Sequence, residues 1–203
     1  MLNLIRKDIL ILRYYFLFVV LYIAFFGFLL PTERSSLLLG ILPTVMLTMF
    51  SCSLERKNKN LLFVGSLPIS RKQIVSAKYS TLFVYLLIGL ASGLLMMLIN
   101  RYVLQREASF TGTDIGLTLG ICFLFGSLFF PIYYWLGAKG SQIVIFIFVF
   151  LTIAASNLPK REIDWLPESQ LATAWLFPVV GLLLLGLSFR LSLAIFRRKD
   201  MAT

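Results

Sequence analysis

The residues of this chain best equipped for chemistry lie in one stretch, Glu55–Tyr79 (ERKNKNLLFVGSLPISRKQIVSAKY). Six of the nineteen Lys and Arg residues fall there, Arg56, Lys57, Lys59, Arg71, Lys72 and Lys78, against a single acid, Glu55. Among them sits a short apolar patch, Leu61-Leu62-Phe63-Val64, bounded by Asn60 and Gly65. The chemistry this supports is recognition rather than catalysis. Basic groups near a membrane attract anionic headgroups, at about 1 kcal/mol for each well-placed cation. An apolar patch can insert into lipid or dock into a hydrophobic groove on a soluble partner. Arg71 and Lys72 also open a helix, where the macrodipole disfavours cations, so helix formation alone does not account for them.

Bond-making chemistry finds little equipment elsewhere. There is no histidine, which removes imidazole acid–base catalysis and histidine metal ligands. Cys52 and Cys122 lie inside apolar runs, where isolated thiols read as small packing residues. No span holds a pair of acids, and no nucleophile–base arrangement is evident. We therefore expect no catalytic residue and no metal. A G-x-x-x-x-G-K-[ST] phosphate loop is also lacking, so any ATP-driven step needs its nucleotide on a separate polypeptide.

The elements that position the basic stretch are membrane spans. Hydrophobic residues make up 59% of the chain, charged residues only 14%, and the mean hydropathy is +0.90. Soluble domains carry about 25% charged residues, so 203 residues of this composition read as one polytopic membrane domain, 1–203. The net charge of +10 would suggest nucleic acid in a soluble protein. Here its placement between spans explains it, and no nucleic acid is expected. The predicted fold is an all-α integral membrane protein with six transmembrane helices. The spans fall at about 14–30, 35–54, 80–100, 114–136, 142–158 and 171–196, with the connector at 55–79. Pro43 should kink the second span. Met1–Arg13 reads as an interfacial helix with Leu2, Ile5, Ile9 and Leu12 on one face. Arg13 interrupts the apolar run after Lys7 and no small-x-small site follows, so the first span reads as uncleaved.

Six spans put both ends on one side, and the positive charges choose it. With the termini, the connector and Lys139 inside, fourteen Lys and Arg lie inward and five outward. Acids run the other way, three in and six out. The positive-inside rule makes both termini cytoplasmic.

Local signals refine the connector. Leu67-Pro68-Ile69 reads as extended, because the residue before proline avoids the helical region. Ser70-Arg71-Lys72-Gln73 fits a capping box. A helix from Arg71 to Asn100 would be about 45 Å long, more than the bilayer core, so its first two turns should project from the membrane. Gly89 and Gly93, then Gly112, Gly116 and Gly120, have the small-xxx-small spacing of close helix packing. Asp114 suits a first helical turn and Arg190 can snorkel.

Two segments resemble the small permease subunits of bacterial ABC-2 type transporters. They are Leu4-Ile5-Arg6-Lys7-Asp8 and the run from Leu67 to Tyr79 (LPISRKQIVSAKY). The resemblance implies a bacterial cell-membrane subunit that pairs with a second permease copy or homologue and with ATP-binding cassette ATPase subunits. ATP and Mg would be bound by those ATPases. It also implies a coupling helix within Glu55–Leu67 and an interfacial elbow at the N-terminus. The ATPase-facing candidates are Glu55, Arg56, Lys57, Asn58, Asn60, Leu61, Leu62, Phe63, Val64, Leu67, Pro68, Ser70, Arg71 and Lys72. The second and fifth spans would face the translocation path, where the polar candidates are Thr44, Thr48, Ser51, Thr152 and Asn157. Each can equally satisfy a backbone carbonyl. The implied function is ATP-driven export of an amphipathic or hydrophobic cargo, a peptide, bacteriocin or lipid-like molecule. The alternative is an ATP-independent transporter or a toxin-immunity membrane protein.

Overall fold

The computed structural model describes residues 2–29, 35–57, 69–102, 105, 112–137, 140, 142–144, 146–148 and 170–198. Its helices are α1 (Leu2–Ile11), α2 (Arg13–Leu29), α3 (Ser35–Lys57), α4 (Arg71–Tyr102), α5 (Gly112–Leu136) and α6 (Gln170–Arg198). No strand occurs among the described residues, as lipid demands: only a helix satisfies its own backbone within one segment. By length and composition α4, α5 and the Trp175–Arg198 part of α6 can each cross a membrane. The bent pair α1–α2 makes up to four such spans. Of the expected fifth span, only 142–144 and 146–148 are described, and they are helical.

The N-terminal segment divides as its charge pattern suggests. Leu12 is the break, and the chain turns there by 59°. The packed side of α1 takes in Leu12 of the expected apolar face and, beside it, an acid. Asp8 and Leu12, one turn apart, are buried, whereas Ile5 and Ile9 are only half-buried. An acid on the packed side of a short helix needs a partner, and it has one.

The helix α3 outlasts the apolar run that precedes the connector. α3 runs past Leu54 to Lys57, so Glu55, Arg56 and Lys57 belong to its last turn. Pro43 lies within α3, which continues as helix on both sides. The chain re-enters at Ile69, and α4 starts at Arg71 with the expected cap. The Gln73 amide donates to Ser70 Oγ at 3.3 Å, and the Ser70 amide donates to Gln73 Oε1 at 3.3 Å. Two of the amides that a helix start leaves unpaired are thereby satisfied.

Two helix pairs dominate the packing, α5 with α6 and α3 with α4. Glycines set both. A Cβ on Gly89 would run into the Gly40 carbonyl and Thr44 Oγ1, and one on Gly120 would meet Phe177 Cβ at 2.8 Å. Gly181 faces Gly120 across the α5–α6 pair, with Phe123 Cβ 2.9 Å from where its own Cβ would be. These are packing contacts within one chain. The main core is aromatic, with Phe125, Phe129, Phe130, Tyr133 and Tyr134 of α5 packed against Tyr79 and Phe196. A smaller core joins α2, α3 and α4 around Leu12, Val19, Leu47 and Tyr85. Leu17, Phe18, Leu21 and Phe25 of α2 face outward, as do Leu176, Val179, Leu183 and Leu187 of α6. Such faces suit lipid.

Candidate functional site

The ends of α3, α5 and α6, the start of α4 and the second half of α1 meet at one end of the bundle, the end from which the connector leaves. Four charged side chains converge there. Lys78 Nζ lies 2.8 Å from Asp8 Oδ2 and 2.8 Å from Glu55 Oε2. Lys7 Nζ lies 2.6 Å from Glu55 Oε1 and 3.3 Å from Asp8 Oδ1. Each cation thus touches both carboxylates and each carboxylate both cations, a closed ring of zero net charge. The side chains of Asp8, Glu55 and Lys78 are at most 5% exposed, and that of Lys7 is 27% exposed.

Neutral groups complete the shell. Lys78 donates to Ser51 Oγ at 3.4 Å, Thr81 donates to Asp8 Oδ2 at 3.4 Å, and the Tyr133 hydroxyl donates to Glu55 Oε2 at 3.5 Å. Desolvating ions is costly, and the ring can exist buried because every charge has two opposite partners and the three most buried each have a polar neighbour too. Removing one partner of a buried pair typically costs about 3–5 kcal/mol, because the other is left bare.

Two arginines flank this ring and bracket the connector. Arg56, the residue after Glu55, donates from Nη2 to the Tyr133 carbonyl at 2.6 Å, near the end of α5. Its guanidinium also lies 4.3 Å from the centroid of the Tyr133 ring, a cation–π arrangement. α5 stops at Gly137, whose φ of +75° is the left-handed conformation of a helix C-cap. A Cβ there would run into the Arg56 guanidinium. On the other side of the connector, Arg71 Nη1 donates to the carbonyls of Phe196, at 3.0 Å, and Arg197, at 2.7 Å. Both arginines therefore sit on the negative ends of other helices, where unpaired carbonyls and the macrodipole favour a cation. This accounts for a cation at the start of α4: its charge is spent on α6. Two turns on, the Tyr79 hydroxyl lies 2.7 Å from Ser188 Oγ and 2.9 Å from Ser192 Oγ, a second polar tie to α6.

The residues singled out in the sequence fall into three groups. Glu55, Arg56 and Arg71 are engaged inside the chain, while Lys57, Ser70 and Lys72 are exposed beside them. Asn58, Asn60, Leu61, Leu62, Phe63, Val64, Leu67 and Pro68 lie outside the described residues, as do Thr152 and Asn157. Thr44, Thr48 and Ser51 are buried between helices. Thr44 donates to the Gly40 and Tyr85 carbonyls at 3.1 and 3.3 Å, and Thr48 to the Thr44 carbonyl at 2.8 Å. Both threonines thus satisfy backbone carbonyls. Ser51 serves the ring.

Lys7, Asp8 and Lys78 escaped the sequence reading as site residues. A signal existed. Only three acids lie on the side of the chain read as inward, and two of them, Asp8 and Glu55, are in the ring. Among the described residues no cluster of His, Cys, Asp and Glu is placed to hold a metal ion.

The ring joins the two segments that carry the family resemblance, Lys7 and Asp8 from the first and Lys78 from the second. No curated protein and no solved structure matches the chain. The family described as ABC-2 family transporter protein matches residues 3–197. Nearly the whole chain is covered, and the protein belongs to the ABC-2 transporter family.

Proposed function

We propose that this chain is the membrane-spanning permease subunit of an ATP-driven exporter of amphipathic or hydrophobic cargo. It crosses the membrane six times with both termini cytoplasmic, and pairs with a second permease copy or homologue. ATP and Mg are bound by separate cassette ATPase subunits, which dock on the connector. The observation that carries this reading is the bracketing of 58–68 by Arg56 and Arg71, bonded to the ends of α5 and α6. Force applied to that segment reaches four helices at once: α3 and α4 through the backbone, α5 and α6 through the arginines. Exposed Lys57 and Lys72 flank it, and Leu61–Val64 is its apolar centre.

The test is affinity purification of the tagged protein from its native membrane in mild detergent, with mass spectrometry of its companions. A stoichiometric ATPase is expected. It should be lost, together with transport, when Leu61, Leu62, Phe63 and Val64 are all replaced by serine, with membrane insertion unchanged. Unchanged transport in that variant would refute the docking surface. Recovery of this chain alone would favour ATP-independent transport or toxin immunity.

A further inference from the structure

We propose that the Lys7–Asp8–Glu55–Lys78 ring is the joint through which the N-terminal helix α1 follows the connector during the transport cycle, its four members acting as positioning residues. The inference rests on the permease reading and adds a moving part to it.

The ring takes one member from α3 and one from α4, the two helices that the connector joins, and two from α1. Glu55 lies next to Arg56, and Lys78 lies two turns beyond Arg71. The ring therefore sits at the roots of both connector ends. Among the described helices α1 packs on α2, α3 and α4 alone, and no other ion pair ties it down among the described residues. α1 turns at Leu12 into α2, so whatever moves α1 also moves the start of α2.

A purely structural tie would not need charge. Apolar side chains of similar volume hold helices together as well as a buried ion pair, or better. What the charges add is register. Three nearly buried ions tolerate only arrangements that keep each one paired. A shift that separates α3 from α4 must carry Lys7 and Asp8 along or leave a bare charge in an apolar surround. The closed pattern also lets one contact lengthen while the ion keeps its second partner. α1 can then follow by a graded displacement instead of detaching.

The experiment uses the full chain in nanodiscs, alone and with its ATPase. Lys7→Gln is the primary variant, because its partly exposed group can be neutralised without leaving a cation buried. The double variant Glu55→Gln/Lys78→Met removes a neutral pair, and Glu55→Lys/Lys78→Glu keeps the net charge but sets like charges against Lys7 and Asp8. In the chain alone, backbone amides of α1 should exchange about tenfold faster in Lys7→Gln and in the neutral double variant. In the complex, cargo moved per ATP hydrolysed should fall about fivefold in both, and the exchanged pair should lose at least as much in each measurement. Wild-type exchange in both variants would overturn the proposal. So would faster exchange with an unchanged ratio of transport to hydrolysis, which would make the ring a static tie. If the native chain shows no ATP-linked transport, the permease reading fails instead. The exchange measurement, which needs no ATPase, then decides alone whether the ring carries α1.

Discussion

The guanidinium of Arg71, the first residue of α4, donates to the main-chain carbonyl of Arg197, the penultimate residue of α6, at 2.7 Å. A cation at a helix start is unfavourable for its own helix and favourable for the one it caps. Arg71→Ala should therefore destabilise the α4–α6 contact by about 1.5–3 kcal/mol, the range for a hydrogen bond involving a charged group. Arg71→Lys, which retains charge without the fork, should recover about half of that. SDS-titration unfolding in mixed micelles reads both, and a silent Arg71→Ala would show that the contact contributes nothing.

The Ser70 cap stands apart from that charge. Ser70→Ala should cost about 1 kcal/mol by loss of the side-chain acceptor at the start of α4, and Ser70→Asp should cost little. The same titration, with hydrogen exchange at the Gln73 amide, separates a cap effect from a packing effect.

The close approach of α3 and α4 can be tested by a single methyl. Gly89→Ala places a Cβ against the Gly40 carbonyl and Thr44 Oγ1, and backbone cannot move aside as a side-chain end can. A loss of about 1–3 kcal/mol is expected from overpacking. Gly112→Ala is the control. Nothing lies within 4 Å of a Cβ there, and the substitution should leave the unfolding midpoint unchanged.

Tyr79→Phe removes the hydroxyl between Ser188 and Ser192 but keeps the ring, which lies tilted 4.5 Å from Phe130 and edge-on 5.3 Å from Phe189. Each serine can turn to a carbonyl of its own helix, so the cost should be about 0.5–1 kcal/mol. A larger loss would mean that the serines do not find that alternative.

Local features of this fold were legible in the sequence, and distant pairings were not. The start of α4 could be read because a capping box is written in four consecutive residues, Ser70 to Gln73. The break at the end of α1 was marked by Arg13 in an apolar run. The ring was hidden because its members stand at 7, 8, 55 and 78, and only packing brings them together. The α1 wheel grouped Leu2, Ile5, Ile9 and Leu12 on one face and left Asp8 off it, since hydropathy ranks a carboxylate outermost. Burial of Asp8 overrides that ranking through partners on other helices. Gly181 gave no signal by spacing within its own helix, because the glycine that complements it, Gly120, is on α5. Reading Glu55 as the first connector residue followed from its charge. The helix carries it three residues further than the apolar run suggests.

The Gly89 contact has a mechanical corollary. With no room for a methyl between them, α3 and α4 cannot draw closer at that level, so a rigid α4 that tilts must rock about it. Gly89 lies eighteen residues from Arg71 and thirteen from Tyr102, lever arms of about 27 and 20 Å at 1.5 Å per residue. A push of 1 Å on the connector end then emerges as a swing of about 0.7 Å in the opposite sense at the far end. A rigid α4 that tilts about Gly89 would thus move its two ends in opposite senses.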